Sequence, residues 1–184
     1  MPAQRVCVLQ NMYVNGISGH LNREEGICTA ASLVWAKHCL LHPRFRPRRK
    51  EDLPYDEHIL NGLMARWRAY DFSPTEQTTA FGLEIVGGAD HVVGTMTAML
   101  NIAVATAPYV CIFWNSYHTM GFRQLVETFS RGGVGQTRHE FEVYDQNSGL
   151  YFSRLRTDFD NWYVQQYPDP SYPILGMRVV QLPH

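Results

Sequence analysis

In this 184-residue chain, Cys28 lies in a sequence context that favours a reactive thiol. It lies at the predicted start of a helix, two positions after Gly26. At that position the helix dipole and the unpaired backbone N–H groups favour the thiolate, which is the nucleophilic form of cysteine. Gly26 has no side chain, so it leaves room for a substrate to approach the thiol. Each residue also has a simpler interpretation, because a cysteine is often a small buried apolar side chain and Gly26 can be an ordinary loop glycine.

A candidate base and a candidate carboxylate follow much later in the chain. His118 lies at the edge of a β-rich run, where a strand would hold its ring rigidly. Asp145 ends the strand predicted over residues 140–144, and a carboxylate there can accept a hydrogen bond from an imidazole and determine its tautomer. His139 competes for the role of base because it also begins a β-run, but it lies on the carboxylate's own strand. Alternatively, a strand histidine only satisfies a hydrogen bond, and an aspartate before a turn only caps the backbone.

The order of these residues is more informative than any one of them. A cysteine on an early helix, a distant histidine and a carboxylate on the following strand suit a cysteine protease whose catalytic groups meet only in the fold. The sequence therefore predicts a Cys28–His118–Asp145 triad.

The elements that must position the triad are predicted to be helices first and an antiparallel sheet afterwards. Ser73-Pro74 predicts a turn, and residues 131–135 predict a loop. This order predicts a single α+β domain over residues 1–184, with N-terminal helices packed on a C-terminal antiparallel sheet. The predicted helices cover 27–41, 56–70, 95–105 and 156–167, and the predicted strands cover 5–10, 109–114, 118–125, 140–144, 150–153 and 174–182.

Composition excludes several other classes of protein. The 45% of hydrophobic residues is typical of a globular domain, and the net charge of −1 argues against a general nucleic-acid binder. The apolar stretch over 92–107 is too short and too polar to span a bilayer. Residues 1–10 lack the features of a signal peptide. The four cysteines show no CxxC pair and no Cys/His cluster, so we expect no metal site; they are Cys7, Cys28, Cys39 and Cys111.

A basic segment follows the first predicted helix. Five cationic side chains fall within seven positions, and they are Arg44, Arg46, Arg48, Arg49 and Lys50. Such a segment can contact acidic lipid or an acidic protein. A solvated loop is the alternative.

Three short blocks of the chain resemble the YopT/AvrPphB family of papain-like bacterial effector proteases. The segment from Gly26 to Trp35 is similar to the family's nucleophile helix, which has Gly-x-Cys, small residues on the next turn and a Trp seven positions after the Cys. The block His118-Thr119-Met120-Gly121 resembles the family's base strand. The block from Tyr144 to Gly149 resembles its aromatic-Asp-Pro-Asn-x-Gly turn, with Gln146 in place of the usual Pro. Residues 41–107 match no family that we can name.

The resemblance implies a papain-like fold and hydrolysis of a peptide bond in a target protein, without a cofactor. Cys28 attacks, His118 moves the proton, and Asp145 orients the ring. An oxyanion hole needs donors; the Cys28 backbone N–H is one, and Asn22 lies six positions upstream, where papain-like enzymes have a Gln. An exposed loop Asn is the alternative for Asn22.

The resemblance also implies a bacterial effector or toxin, secreted without a cleaved signal peptide, that acts on a protein in the cytoplasm of a target cell. Two alternatives stay open at this stage. The same triad can attack a glutamine side chain, as a deamidase or a transglutaminase does. The chain can also be a binding module that has lost its activity.

Overall fold

The computed structural model describes residues 4–7, 28–44, 46, 52–53, 57–105, 110–116, 118–146, 148–170 and 172–184. Within them the chain forms α-helices and a largely consecutive run of antiparallel strands, which confirms the predicted α+β class. The helices are α1 Cys28–Leu41, α2 Glu57–Ala69, α3 Pro74–Ala80, α4 Met96–Ala105 and α5 Asp158–Gln166. The strands are β1 Gln4–Cys7, β2 Glu84–Ile85, β3 His91–Val92, β4 Val110–Trp114, β5 Thr119–Arg131, β6 Val134–Asp145, β7 Gly149–Ser153 and β8 Gly176–Gln181.

These strands form one antiparallel sheet in the order β1-β7-β6-β5-β4-β8-β2, and β3 also pairs with β8. The sheet therefore includes β1, which overlaps the strand predicted over 5–10, and two short strands that the sequence did not predict, β2 and β3. Its centre is the run β6-β5-β4, and each of these strands pairs antiparallel with its neighbour. This central run carries both candidate partners of the thiol.

The hairpin of β5 and β6 is longer than predicted. Gly132 and Gly133 have φ angles of 61° and 79°, the left-handed conformation that a two-residue hairpin turn requires. The strands therefore continue through the region predicted to be a loop. The register pairs Gly121 with Tyr144, which brings the start of β5 and the end of β6 to the same end of the hairpin.

Each face of the sheet has its own core. On one face α1 packs against β4 and β5, and its buried residues Ala31 and Trp35 lie in a cluster with Ile112 and Tyr144. On the opposite face the buried residues of α4 and α5 enclose the other side chains of β4, β5 and β6, with Phe122 at the centre. Alternation of side chains along each strand supplies both cores.

One α-helix was missed by the sequence prediction. Ser73-Pro74 is not a plain turn but the start of α3. Ser73 is its N-cap, and its hydroxyl accepts a hydrogen bond from the backbone N–H of Glu76, whose carboxylate accepts from the backbone N–H of Ser73. This reciprocal pair is a capping box, and Pro74 occupies the first turn, where it is tolerated.

Candidate active site

Cys28 is the first residue of α1 and is partly exposed. Two side chains on the first turns of the helix bind the start of β5. Thr29 Oγ1 lies 2.9 Å from Thr119 Oγ1, and Ser32 Oγ donates to the carbonyl oxygen of Thr119 at 3.2 Å. These contacts hold the N-terminus of α1 against the residue that follows His118.

Trp35 determines how closely α1 approaches the sheet. It lies two helical turns after Cys28, is fully buried, and stacks on Tyr144 with ring centroids 5.3 Å apart. Its indole also lies directly over Gly121. A Cβ at Gly121 would be 2.4 Å from Cε3 and Cζ3 of Trp35. The absence of a side chain at Gly121 therefore makes this packing possible.

His118 is buried and lies immediately before β5. Asn115 holds its backbone on both sides, because Asn115 N donates to His118 O at 3.0 Å and His118 N donates to Asn115 Oδ1 at 2.9 Å. The ring joins the two other candidate residues. Its Nε2 lies 2.8 Å from Oδ1 of Asp145, and the ring also interacts electrostatically with the thiol of Cys28. Since Nε2 faces the carboxylate, Nδ1 is the nitrogen available to the thiol.

Asp145 is 2% exposed at the end of β6. Its Oδ1 contacts His118, and its Oδ2 accepts from Ser148 Oγ at 2.6 Å and from Tyr167 Oη at 3.3 Å. Both oxygens of the carboxylate are therefore engaged. A buried carboxylate with such partners is well placed to orient an imidazole.

The electrostatics of the site favour an ion pair between the thiol and the imidazole. Burial acts to raise the pKa of Cys28, but the hydrogen bond and charge of His118, with hydrogen bonds from Thr119, bring that pKa below its usual value. Burial acts to lower the pKa of His118, but Asp145 and Cys28 together raise it to about 10. By contrast, burial raises the pKa of Cys39 to about 12. Cys28 is therefore the candidate thiolate.

The thiol opens into a cleft of about 300 Å³. Cys28, His118 and Thr119 line it. Residues from the helices and from β4 and β8 form the rest, among them Met64, Pro74, Gln77, Ile112, Trp114 and Arg178. A reacting group can thus reach the thiol from solvent, which a fully buried cysteine would not permit.

His139, the competing base, lies elsewhere. It is six residues before Asp145 on the same strand, a separation of about 20 Å at strand rise. Its Nδ1 is 2.6 Å from Gln124 Nε2, which donates to it. The structure therefore brings His118, and not His139, together with Asp145 and Cys28.

Other predicted positions have different outcomes. Asn22 lies outside the described residues, as do three members of the basic segment: Arg48, Arg49 and Lys50. Arg44 is exposed. Arg46 forms ion pairs with two buried carboxylates of β6, Glu140 and Glu142. Arg46 therefore binds the sheet of its own chain.

Two residues of the site were missed by sequence reasoning. Asn115 was not singled out, and Tyr167 was only the last residue of the helix predicted over 156–167. Neither residue lies in a motif. Tyr167 contacts Asp145, which is distant in sequence, and Asn115 contacts His118 at its backbone. An Asn three residues before the candidate base was the one available signal, since Asn side chains often hydrogen-bond nearby backbone.

Comparisons with protein families, with curated proteins and with solved structures found no match to this chain. Within the described residues, none of the helices is long and apolar enough to cross a membrane. In the same part of the chain, no three His, Cys, Asp or Glu side chains come together as a metal site.

Proposed function

We propose that this chain is a thiol hydrolase that cleaves a peptide bond in a protein, with Cys28 as nucleophile, His118 as base and Asp145 as the orienting carboxylate. One observation carries the proposal. The His118 ring joins the Cys28 thiol to the Asp145 carboxylate, with 2.8 Å between Nε2 and Oδ1, at the wall of an open cleft. A lone buried cysteine needs neither a histidine partner nor access to solvent.

The first half of the reaction is acylation. The Cys28 thiolate attacks the carbonyl carbon of the scissile amide, and a carbon–sulfur bond forms. The imidazolium of His118 gives its Nδ1 proton to the leaving amine as the carbon–nitrogen bond breaks. The negative charge that develops on the carbonyl oxygen needs donors, and the backbone N–H of Cys28 at the helix N-terminus is one. Asn22 remains the predicted second donor.

The second half is hydrolysis of the thioester. His118, now neutral, removes a proton from water, and the water oxygen attacks the thioester carbon. The carbon–sulfur bond breaks, the carboxylic acid product leaves, and the thiolate and imidazolium form again. Throughout, Asp145 keeps the ring in one orientation and stabilises its charged form.

We further propose that the fold is papain-like and that the protein is a bacterial effector or toxin. The first part is supported by a nucleophile at the N-terminus of a helix that packs on an antiparallel sheet, with the base and carboxylate on adjacent strands. The second part rests on the resemblance of three sequence blocks to the YopT/AvrPphB family. On this proposal the protein is secreted and acts in the cytoplasm of the target cell.

A comparison of protein termini in a cell lysate tests the activity. The lysate is incubated with wild type, with Cys28→Ala and with Cys39→Ala as the matched control, because Cys39 is a buried cysteine on the same helix. We expect new N-termini with wild type and Cys39→Ala, and none with Cys28→Ala.

Two other results would change the assignment. If intact proteins gain the mass of an amide converted to an acid and no new termini form, the chain is a deamidase that uses the same residues. If wild type and Cys28→Ala give identical lysates while the wild-type thiol remains unreactive, the chain is a binding module.

A further inference from the structure

Helix α5 and the residue after it pack beside the triad on the sheet face opposite α1. Tyr163 and Tyr167 are four residues apart, one helical turn, and their ring centroids are 5.0 Å apart. The backbone N–H of Tyr167 closes the helix by donating to Tyr163 O at 2.8 Å. The two hydroxyl groups contact different parts of the site.

Tyr167 contacts the carboxylate. Its hydroxyl donates to Asp145 Oδ2 at 3.3 Å, and the centroid of its ring lies 6.3 Å from the centroid of the His118 ring. Burial and the adjacent Asp145 raise the pKa of Tyr167, so the hydroxyl keeps its proton and acts as a donor. The terminal torsion of an aspartate is soft. A carboxylate held only through Oδ1 can therefore rotate, whereas donors on Oδ2 fix its plane.

Tyr163 contacts the histidine indirectly. Its hydroxyl accepts from Asn115 Nδ2 at 3.0 Å and donates to Tyr172 O at 2.9 Å. Asn115 in turn holds the backbone of His118 through its N–H and Oδ1. The helix thus reaches the base through one tyrosine and the carboxylate through the other.

We propose that Tyr167 is a positioning residue that keeps the Asp145 carboxylate in the plane in which it supports the His118 imidazolium. This inference rests on the proposed Cys28 chemistry. Without the Tyr167 hydroxyl, Asp145 Oδ2 loses one of its hydrogen-bond donors. The carboxylate can then rotate, and its hydrogen bond to His118 Nε2 weakens. The imidazolium then loses support, and so does the thiolate that it stabilises.

Several titratable or charged groups face this cluster from the surrounding elements. They are Cys28 from α1, His118 just before β5, Asp145 from β6 and Tyr163 from α5, and Asp90 and Arg178 also line the cleft. Because these groups also affect the pH profile of the thiol, the experiment needs a control variant that removes a tyrosine hydroxyl elsewhere in the same core. Tyr151→Phe is that control, because Tyr151 packs on Trp162 of α5 on the same face of the sheet.

The test is the rate of Cys28 alkylation by iodoacetamide as a function of pH, followed by peptide mapping. This measurement needs no substrate. Tyr167→Phe should shift the profile towards higher pH by about half a unit, which is about a threefold loss of rate on the acidic limb. Tyr151→Phe should leave the profile unchanged, and melting temperatures show that both variants are folded.

A double-mutant cycle separates positioning through Asp145 from a general structural effect. In an Asp145→Asn background, Tyr167→Phe should cause no further shift, because the carboxylate that it positions is gone. An equal shift in both backgrounds would overturn the proposal. So would an unchanged profile for Tyr167→Phe, or a shift towards lower pH, which would mean that the hydroxyl only withdraws charge from Asp145.

Ser148→Ala gives a second route to the same oxygen. It removes another donor to Oδ2 at a partly exposed turn, and it should shift the profile in the same direction as Tyr167→Phe. An unchanged profile would contradict the idea that Oδ2 must be anchored.

If wild-type Cys28 is no more reactive than Cys39, both this inference and the proposed function are wrong. If Cys28 is reactive but insensitive to Tyr167→Phe, only this inference is wrong.

Discussion

Gly121→Ala tests whether the close packing of α1 on β5 positions the thiol. The added Cβ would lie 2.4 Å from Cε3 and Cζ3 of Trp35. Two carbon atoms in ordinary contact are about 3.5 to 4.0 Å apart, so the indole must recede by about 1 Å or more. Trp35 is fully buried and stacked on Tyr144, and it therefore cannot move without α1.

Movement of α1 reaches the active site directly. The helix begins at Cys28, and its first turns bind β5 through contacts of 2.9 Å and 3.2 Å to Thr119. A displacement of about 1 Å is enough to break both contacts, and a misplacement of that size can lower a rate by about a hundredfold. Overpacking of this kind costs about 1 to 3 kcal/mol of stability.

We therefore expect Gly121→Ala to remain folded, to lose about 1 to 3 kcal/mol of unfolding free energy, and to alkylate Cys28 far more slowly than wild type. Denaturant unfolding and alkylation kinetics on one preparation measure both. Gly135→Ala is the matched control, because it is also a strand glycine and its added Cβ meets nothing within 4 Å. Gly121→Ala combined with Trp35→Leu should be less destabilised than the sum of the two single variants.

A Gly121→Ala variant with wild-type stability and wild-type thiol reactivity would refute the reasoning. A stability loss with unchanged reactivity would refute its second half, the connection between helix packing and thiol placement.

Four further expectations follow from the site. Limiting iodoacetamide in mildly acidic buffer should label Cys28 well before Cys39, whose pKa is raised to about 12; the reverse order by peptide mapping would contradict a Cys28 thiolate. His118→Ala should abolish activity, whereas His139→Ala should retain most of it once circular dichroism shows both folded; an inactive His139→Ala would reassign the base. Asp145→Asn should lower kcat by about two to four orders of magnitude with little change in KM, because the residue orients the ring; normal turnover would remove it from the triad. The raised pKa of His118, about 10 against 6.5, means that its proton stabilises the fold fully below pH 6.5 and that this contribution is lost as pH rises through 10. The difference in melting temperature between wild type and His118→Ala should therefore shrink over that range, and a difference that grows would contradict the assignment.

Sequence reasoning found the candidate triad and the α+β class because both depend on local patterns. An apolar helical face after Cys28, β-rich runs around His118 and Asp145, and turn residues between them each report on a few neighbouring positions. Boundaries were less accurate. The pair Gly132-Gly133 permitted both a loop and a two-residue hairpin turn, and only pairing of the flanking strands selects the turn.

Contacts between distant parts of the chain were not predictable in this way. Thr29 meets Thr119 across 90 positions, and Arg46 binds Glu142 across 96. Such contacts depend on which face of the sheet a helix covers and on strand register, and a shift of one residue reverses every side chain. The basic segment was therefore predicted either to contact an acidic partner or to be a solvated loop, whereas its Arg46 pairs with Glu140 and Glu142 of the same chain.

By itself the sequence determined which side chains are able to do thiol chemistry and the order in which the chain presents them. Tertiary structure decided which of them meet. Strand direction put His118 beside Asp145 and left His139 about 20 Å away along the same strand. Folding also packed Trp35 against Gly121, and it brought Tyr167, the residue after α5, to the carboxylate of Asp145. These outcomes arise from packing two layers of helices onto one sheet, and packing acts on shape and distance, which residue types alone do not encode.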